Sequence, residues 1–197
     1  MTAGHPSADS NEHAEIFSQT IPLADPLSGP LCYVRTMLIV VRGNSGSGKS
    51  TIAAALQQAL GWPTTILSQD HFRRIVYPER EQESLAHADL LEAAAAHCLR
   101  AGHHVILEGI FNAQRYSAML EGIAAQSNDA RFYAFDLTFD ETVRRHDMRP
   151  QATDFTADEM QAWYHGWQPL SFVEEERINA SEAPSRIVAR ILGAGAR

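Results

Sequence analysis

Lysine is almost missing from this chain. Among 197 residues there is one, Lys49, and the other fifteen basic residues are arginines. Cysteine is scarce as well. Cys32 and Cys98 are too few for a disulfide framework and lack the spacing of a metal knuckle, so both are expected to be reduced thiols. No run of about 18 apolar residues occurs, which argues against a helical membrane span. The N-terminal stretch has no basic segment followed by an apolar one, so no secretory signal is expected and the expected location is cytoplasmic. Positive charge is outweighed, with 16 basic against 24 acidic residues and a net charge of −8. A chain of that sign repels a phosphate backbone, which makes long nucleic acid an unlikely partner.

What is present is ordinary for a globular protein: 45% hydrophobic and 20% charged residues, in a length that suits one domain. Residues 1–36 mix Gly, Pro, Ser, Asp and Asn with few apolar positions. They are expected to be a flexible tail, with the domain spanning 37–197.

From Met37 onward strand and helix patterns alternate. The run 37–42, MLIVVR, reads as a buried strand. Lys49 to Leu60 reads as a helix closed by Gly61, with Pro63 beyond. The strand TTILS (64–68) follows, then an Ala-rich helix from Ser84 to Arg100 with Leu91, Ala94, Ala95 and Cys98 on one face. HVILEG (104–109) is a third strand. Asn112 is a good N-cap, with Phe111 and Tyr116 placed as a hydrophobic staple. A fourth strand is expected over 131–139, and Asp140 is expected to cap a short helix that runs into Pro150. Thr156 and Glu159 form a capping box, with Phe155 and Met160 as its staple. The helix they open carries Met160, Trp163, Tyr164 and Trp167 on one side. A weak strand near 176–179 and a helix with Ile187, Val188, Ile191 and Leu192 close the chain. Repeated strand–helix units imply a parallel sheet covered by helices on both faces.

The strongest local signal is GNSGSGKS, Gly43 to Ser50, a complete G-x-x-x-x-G-K-[ST] motif between a strand and a helix. Small residues (Gly43, Asn44, Ser45, Gly46, Ser47, Gly48) let the backbone curl so that successive N–H groups point at phosphate oxygens. The helix start, Lys49, Ser50 and Thr51, presents its positive dipole end to the same anion. Lys49 can reach the outer phosphates and the Ser50 hydroxyl can ligate Mg²⁺. The one lysine thus has a purpose. A guanine-specific switch would need a second lysine in its base-reading motif, and none exists.

The phosphate loop, ILSQDHFRR (66–74) and VILEGIF (105–111) together resemble the P-loop small-molecule kinases, above all the uridine kinase and phosphoribulokinase group. Asp70 with Arg73 is also similar to polynucleotide 5′-kinases, and zeta toxins and chloramphenicol phosphotransferases likewise place an aspartate after the second strand. The resemblance covers about residues 37–150. It implies a P-loop NTPase fold with a parallel five-stranded sheet and a helical lid near 140–168. It further implies ATP and Mg²⁺ as cosubstrate and cofactor, and phosphoryl transfer to a hydroxyl of a nucleoside, sugar or antibiotic. A polynucleotide 5′-hydroxyl kinase and an ATPase-type regulator without an acceptor are the alternatives.

The same resemblance gives Asp70 the role of general base. In a parallel sheet the ligand crevice lies at the C-terminal strand ends, where Asp70, the phosphate loop and Glu108 all fall. Asp70 could equally cap the short helix that follows. Glu108 could hold Mg²⁺ through water, bind a substrate hydroxyl or be a solvated strand-end charge. Arg73 could grip an anionic group or be a surface charge. Arg145 and Arg149, four apart in VRRHDMRP on one helix face, are by the same resemblance the lid arginines expected to close over the phosphates, with the adjacent Arg144 as the alternative and an exposed basic helix as the plain reading. Trp163, Tyr164 and Trp167 could stack on a planar substrate or pack the lid onto the domain.

Overall fold

The computed structural model describes residues 36–78, 85–148 and 155–193. The expected tail, most of it at 1–35, and Arg149 with Pro150 lie outside the described residues.

Strand β1 (Leu38–Arg42) has every residue buried. Its unbroken apolar run follows from being covered twice. Leu38 and Val40 pack into one core with helices α3 (Ala86–Arg100) and α4 (Ala113–Ala124), through Leu91, Ala95, Leu99, Tyr116, Leu120 and Ile123. Ile39 and Val41 pack into another with α1 (Lys49–Leu60) and α7 (Pro184–Gly193), through Ile52, Leu56, Ile187 and Ile191. Alternate side chains point to opposite faces, so the part of the strand sandwiched between two helix layers, Leu38 to Val41, is apolar at every position.

Around β1 stand β2 (Thr64–Ser68), β3 (His104–Gly109), β4 (Ala130–Phe135) and β5 (Glu176–Ile178). All pairings are parallel, in the order β2-β3-β1-β4-β5. The expected five-stranded parallel sheet with helices on both faces is therefore present. Pairing of Val41 with Glu108, and of Ser68 with Glu108, brings the ends of β1, β2 and β3 level. That common edge is where the site sits.

The cap and the staple expected at the start of α4 are both present. Asn112 caps α4 by accepting from the Gln114 N–H, and the rings of Phe111 and Tyr116 meet edge to face at 5.4 Å. Tyr116 also bonds His87 at 3.0 Å, so two buried polar groups satisfy each other between α3 and α4. Cys98 is half-buried against the core. No helix among the described residues is long and apolar enough to cross a membrane.

Other expectations are corrected. The fourth strand stops at Phe135 rather than 139. Thr138, not Asp140, caps α5 (Phe139–Asp147), its side chain accepting from the Glu141 N–H. Helix α6 (Ala157–Trp163) has the full Thr156–Glu159 capping box but ends at Trp163. Tyr164 is already extended and Gly166 has φ 67°. The aromatic stripe therefore does not continue along one helix. Phe155 meets His146 and Trp163, while Met160 is buried beside Gly46.

Candidate active site

The phosphate loop curls against its surroundings. Gly48, directly before α1, has φ 104°, a left-handed value that costs a side-chain-bearing residue but not glycine. Gly46, at φ 81°, lies so close to α5 that an added Cβ would collide with the Thr142 carbonyl. The loop is thus shaped by its glycines and roofed by Thr142 of α5 and Met160 of α6. Lys49 is buried and its Nζ donates to the Asn44 carbonyl at 2.9 Å, across the loop it belongs to. The Asn44 side chain faces the other way. Its amide donates to the Gly166 carbonyl at 3.2 Å and its oxygen accepts from the His165 N–H at 3.1 Å. The loop is therefore tied to the segment that follows α6.

Beside the loop, the Ser50 hydroxyl donates to Glu108 Oε2 at 3.2 Å, and Glu108 is buried at the end of β3. Hydroxyl and carboxylate are hard oxygen donors of the kind Mg²⁺ takes alongside phosphate oxygens and water, so this pair fits that ion. Among the described residues no group of three or more His, Cys, Asp or Glu could hold a metal unaided.

Asp70 stands in α2 (Gln69–His71), a single turn that leads directly into a π-helical turn, Phe72–Val76. Ser68 occupies the N-cap position, so the reading of Asp70 as a cap is corrected. Its carboxylate is 57% exposed and its Oδ1 accepts from Arg73 Nη2 at 3.1 Å and Arg74 Nε at 2.9 Å. The two arginines differ in placement: Arg73 is 15% exposed and Arg74 46%. Arg74 lines the cleft and Arg73 does not. Gln69 was not anticipated. It is buried, and its Oε1 accepts from the Ile110 N–H at 2.7 Å, pinning the Asp70 turn to the end of β3.

One cleft of about 570 Å³ gathers these groups. Its walls include Ser45, Gly46, Lys49, Ser50 and Thr51 of the loop and α1, Asp70 with Arg74, Glu108, and Phe155 with Trp163. Arg145 is not among them. Its Nη1 donates to the Ser47 carbonyl at 2.9 Å, its Nη2 to the Ala180 carbonyl at 2.9 Å, and its Nε to Glu141 at 2.6 Å. In this state it braces the loop's backbone. Glu141, gripped first by Arg144 and then by Arg145, has its carboxyl pulled down to about 2.

Two further residues escaped sequence reasoning. Arg42 ends β1 and is buried, as is Glu175. Their ion pair is 2.5 Å, Arg42 also donates to the carbonyls of Phe111 and Gln168, and Glu175 accepts from the Leu170 N–H. Arginine at the end of an apolar strand was the available signal, but nothing in the sequence names its partner 133 positions away.

Residues 38–168 match the family model described as AAA domain, and the chain belongs to that family. The chain is similar to the APS kinase of Mycobacterium tuberculosis in complex with AMPPNP and APS, at 18% identity over 81% of this chain and 96% of that one, TM-score 0.63. It is similar to a gluconokinase from Sinorhizobium meliloti at 19% identity, over 83% and 93% of the two chains, TM-score 0.60. It is also similar to the Deinococcus radiodurans tunicamycin resistance protein, at 15% identity over 81% and 95%, TM-score 0.56. At these identities the likeness is one of fold, the P-loop NTPase fold. No curated protein matches the chain in sequence.

Proposed function

We propose that this protein transfers the γ-phosphate of ATP to a hydroxyl of a small molecule. The observation that carries the reading is the shared cleft, in which the phosphate loop, Glu108 and Asp70 face the same space. In the proposed reaction the loop amides and the α1 N-terminus hold the phosphates, and Lys49 turns from the Asn44 carbonyl to the outer phosphates. Ser50 and Glu108 would hold Mg²⁺, which when bound neutralises charge on the phosphoryl oxygens. Asp70 orients the acceptor hydroxyl and takes its proton as the phosphoryl moves. Arg73 and Arg74 both engage Oδ1, which fixes the carboxylate's direction. Arg74 is the arginine placed to meet a charged group in the cleft, and Arg145 serves by holding the loop. That the fold neighbours named above include kinases of small molecules supports this reading.

The polynucleotide reading would be favoured by a basic channel to Asp70. The cleft's described walls instead balance Lys49 and Arg74 against Asp70 and Glu108. An acceptor-free ATPase has no use for the part of the cleft that Trp163 and Phe155 line.

The test is a screen of hydroxyl compounds with labelled ATP, run beside Asp70→Asn. The variant should bind ATP like the parent and lose transfer by about 10²–10⁴-fold. Transfer at the parental rate would refute Asp70 as base, and hydrolysis indifferent to every added hydroxyl compound would point to the ATPase.

A further inference from the structure

The three lid aromatics that read alike in the sequence have different fates. Tyr164 is consumed by packing: its hydroxyl donates to the Leu137 carbonyl at 2.8 Å and its ring meets Phe139 at 5.5 Å. Trp167 lies under the Arg177 guanidinium, 4.4 Å from its ring centre. Trp163 alone of the three lines the cleft, where it is 37% exposed. It is held in place there. His146 stacks on Phe155 at 4.4 Å with 21° between planes, and Phe155 meets Trp163 at 5.4 Å. His146 and Phe155 line the same cleft. One wall of the cleft is thus a braced series of flat rings, and the wall bearing Asp70 and Arg74 carries the groups that address a hydroxyl and an anion.

An indole left partly open to water inside a cleft, on a side chain that Phe155 braces, is a surface that gains by being covered with another π face. The roof over Gly46 comes from the same helix through Met160, so the ring wall stands at the loop's Ser45–Gly46 side. Arg145 and Ala180 meet the loop at Ser47. From this we infer that the acceptor is a hydroxyl compound carrying a flat ring, a nucleobase or an aryl group, that stacks on Trp163 with its hydroxyl at Asp70. The inference rests on the kinase reading for the hydroxyl's fate, but ring binding stands apart from it. Acyclic polyols offer the indole no face and sugars only a saturated, puckered one, so both are disfavoured.

The test uses the full chain loaded with ADP and Mg²⁺, in a form with Trp62→Phe and Trp167→Phe so that Trp163 alone fluoresces. Uridine, adenosine and 1-phenyl-1,2-ethanediol are titrated beside ribose, gluconate and glycerol, and each is also offered as acceptor with labelled ATP. At least one compound with a flat ring should quench Trp163, and ribose, gluconate and glycerol should not; nucleosides and the aryl diol separate the two sources of the ring. For the best acceptor, Trp163→Leu should raise its KM by roughly tenfold, leave the KM for ATP unchanged, and be largely rescued by Trp163→Phe. Quenching without transfer would defeat the kinase reading and keep the ring site. Efficient transfer to a ring-free polyol, indifferent to Trp163→Leu, would overturn the inference and keep the kinase. Absence of quenching by any ring compound, or a KM effect on ATP instead of the acceptor, would also overturn it.

Discussion

Replacing Glu175 with alanine strands the Arg42 guanidinium in the interior. The two side chains are 4% and 1% exposed, so water cannot take the place of the lost carboxylate. Removing one partner of such a pair costs about 3–5 kcal/mol, chiefly because the other charge stays buried and uncompensated. Glu175→Ala also orphans the Leu170 N–H, which keeps the expectation at the upper end of that range. Domains of this size hold only about 5–15 kcal/mol in all, and each kcal/mol moves Tm by about 2–4 °C, so a fall of roughly 6–20 °C is expected. The double variant Arg42→Met, Glu175→Leu removes both charges and should recover part of the loss. It still leaves the carbonyls of Phe111 and Gln168 and the Leu170 N–H without this partner. At about 1 kcal/mol for each such group, it should remain about 2–3 kcal/mol below the parent. Urea unfolding of the parent, Arg42→Met, Glu175→Leu and the double variant gives the coupling directly. A Glu175→Ala cost below about 1 kcal/mol would refute the claim that this pair is buried beyond the reach of water.

Lys49→Met should leave folding intact by circular dichroism and reduce phosphoryl transfer by about 10²–10³-fold, with weakened binding of a fluorescent ATP analogue. Gly46→Ala meets both an unfavourable φ and the Thr142 carbonyl and should cost about 1–3 kcal/mol, read as a lower urea midpoint with nucleotide affinity reduced. The folded-state pKa of Glu141 lies near 2, against an ordinary 4.5. Its contribution is therefore present above about 4.5 and lost as pH falls toward 2, where the unfolded chain binds the proton more readily. Melting curves of Glu141→Gln and the parent should differ at pH 7 and converge by pH 2; a constant gap across that window would count against it.

Much of the fold was legible because its determinants are local or periodic. The bounds of α1, β2 and β3 follow from apolar runs ended by glycine or by polar residues, and the Asn112 and Thr156 caps need only neighbours a few positions away. The errors have one cause, which is tertiary competition for a short segment. Residues 136–139 are apolar enough for a strand, but Thr138 turns them into the start of α5. The periodic stripe from Met160 to Trp167 suits a longer helix, but Tyr164 bonds Leu137 and His165 bonds Asn44, which draws the chain out of it. Arg73 and Arg74 are adjacent in sequence, and only the π-helical turn decides which of them faces the cleft.

The phosphate loop is the part the sequence determined alone, because its function lies in the backbone conformation that eight consecutive residues permit. The third strand's Glu108 and the turn carrying Asp70 were readable as strand-end carboxylates, since a parallel sheet gathers such ends on one edge. Which side chains line the shared space was decided by packing. Gln69 against Ile110, Arg42 against Glu175, Arg145 against Ser47 and Phe155 between His146 and Trp163 are contacts across the folded chain. Each depends on the direction and burial of groups that linear spacing does not encode.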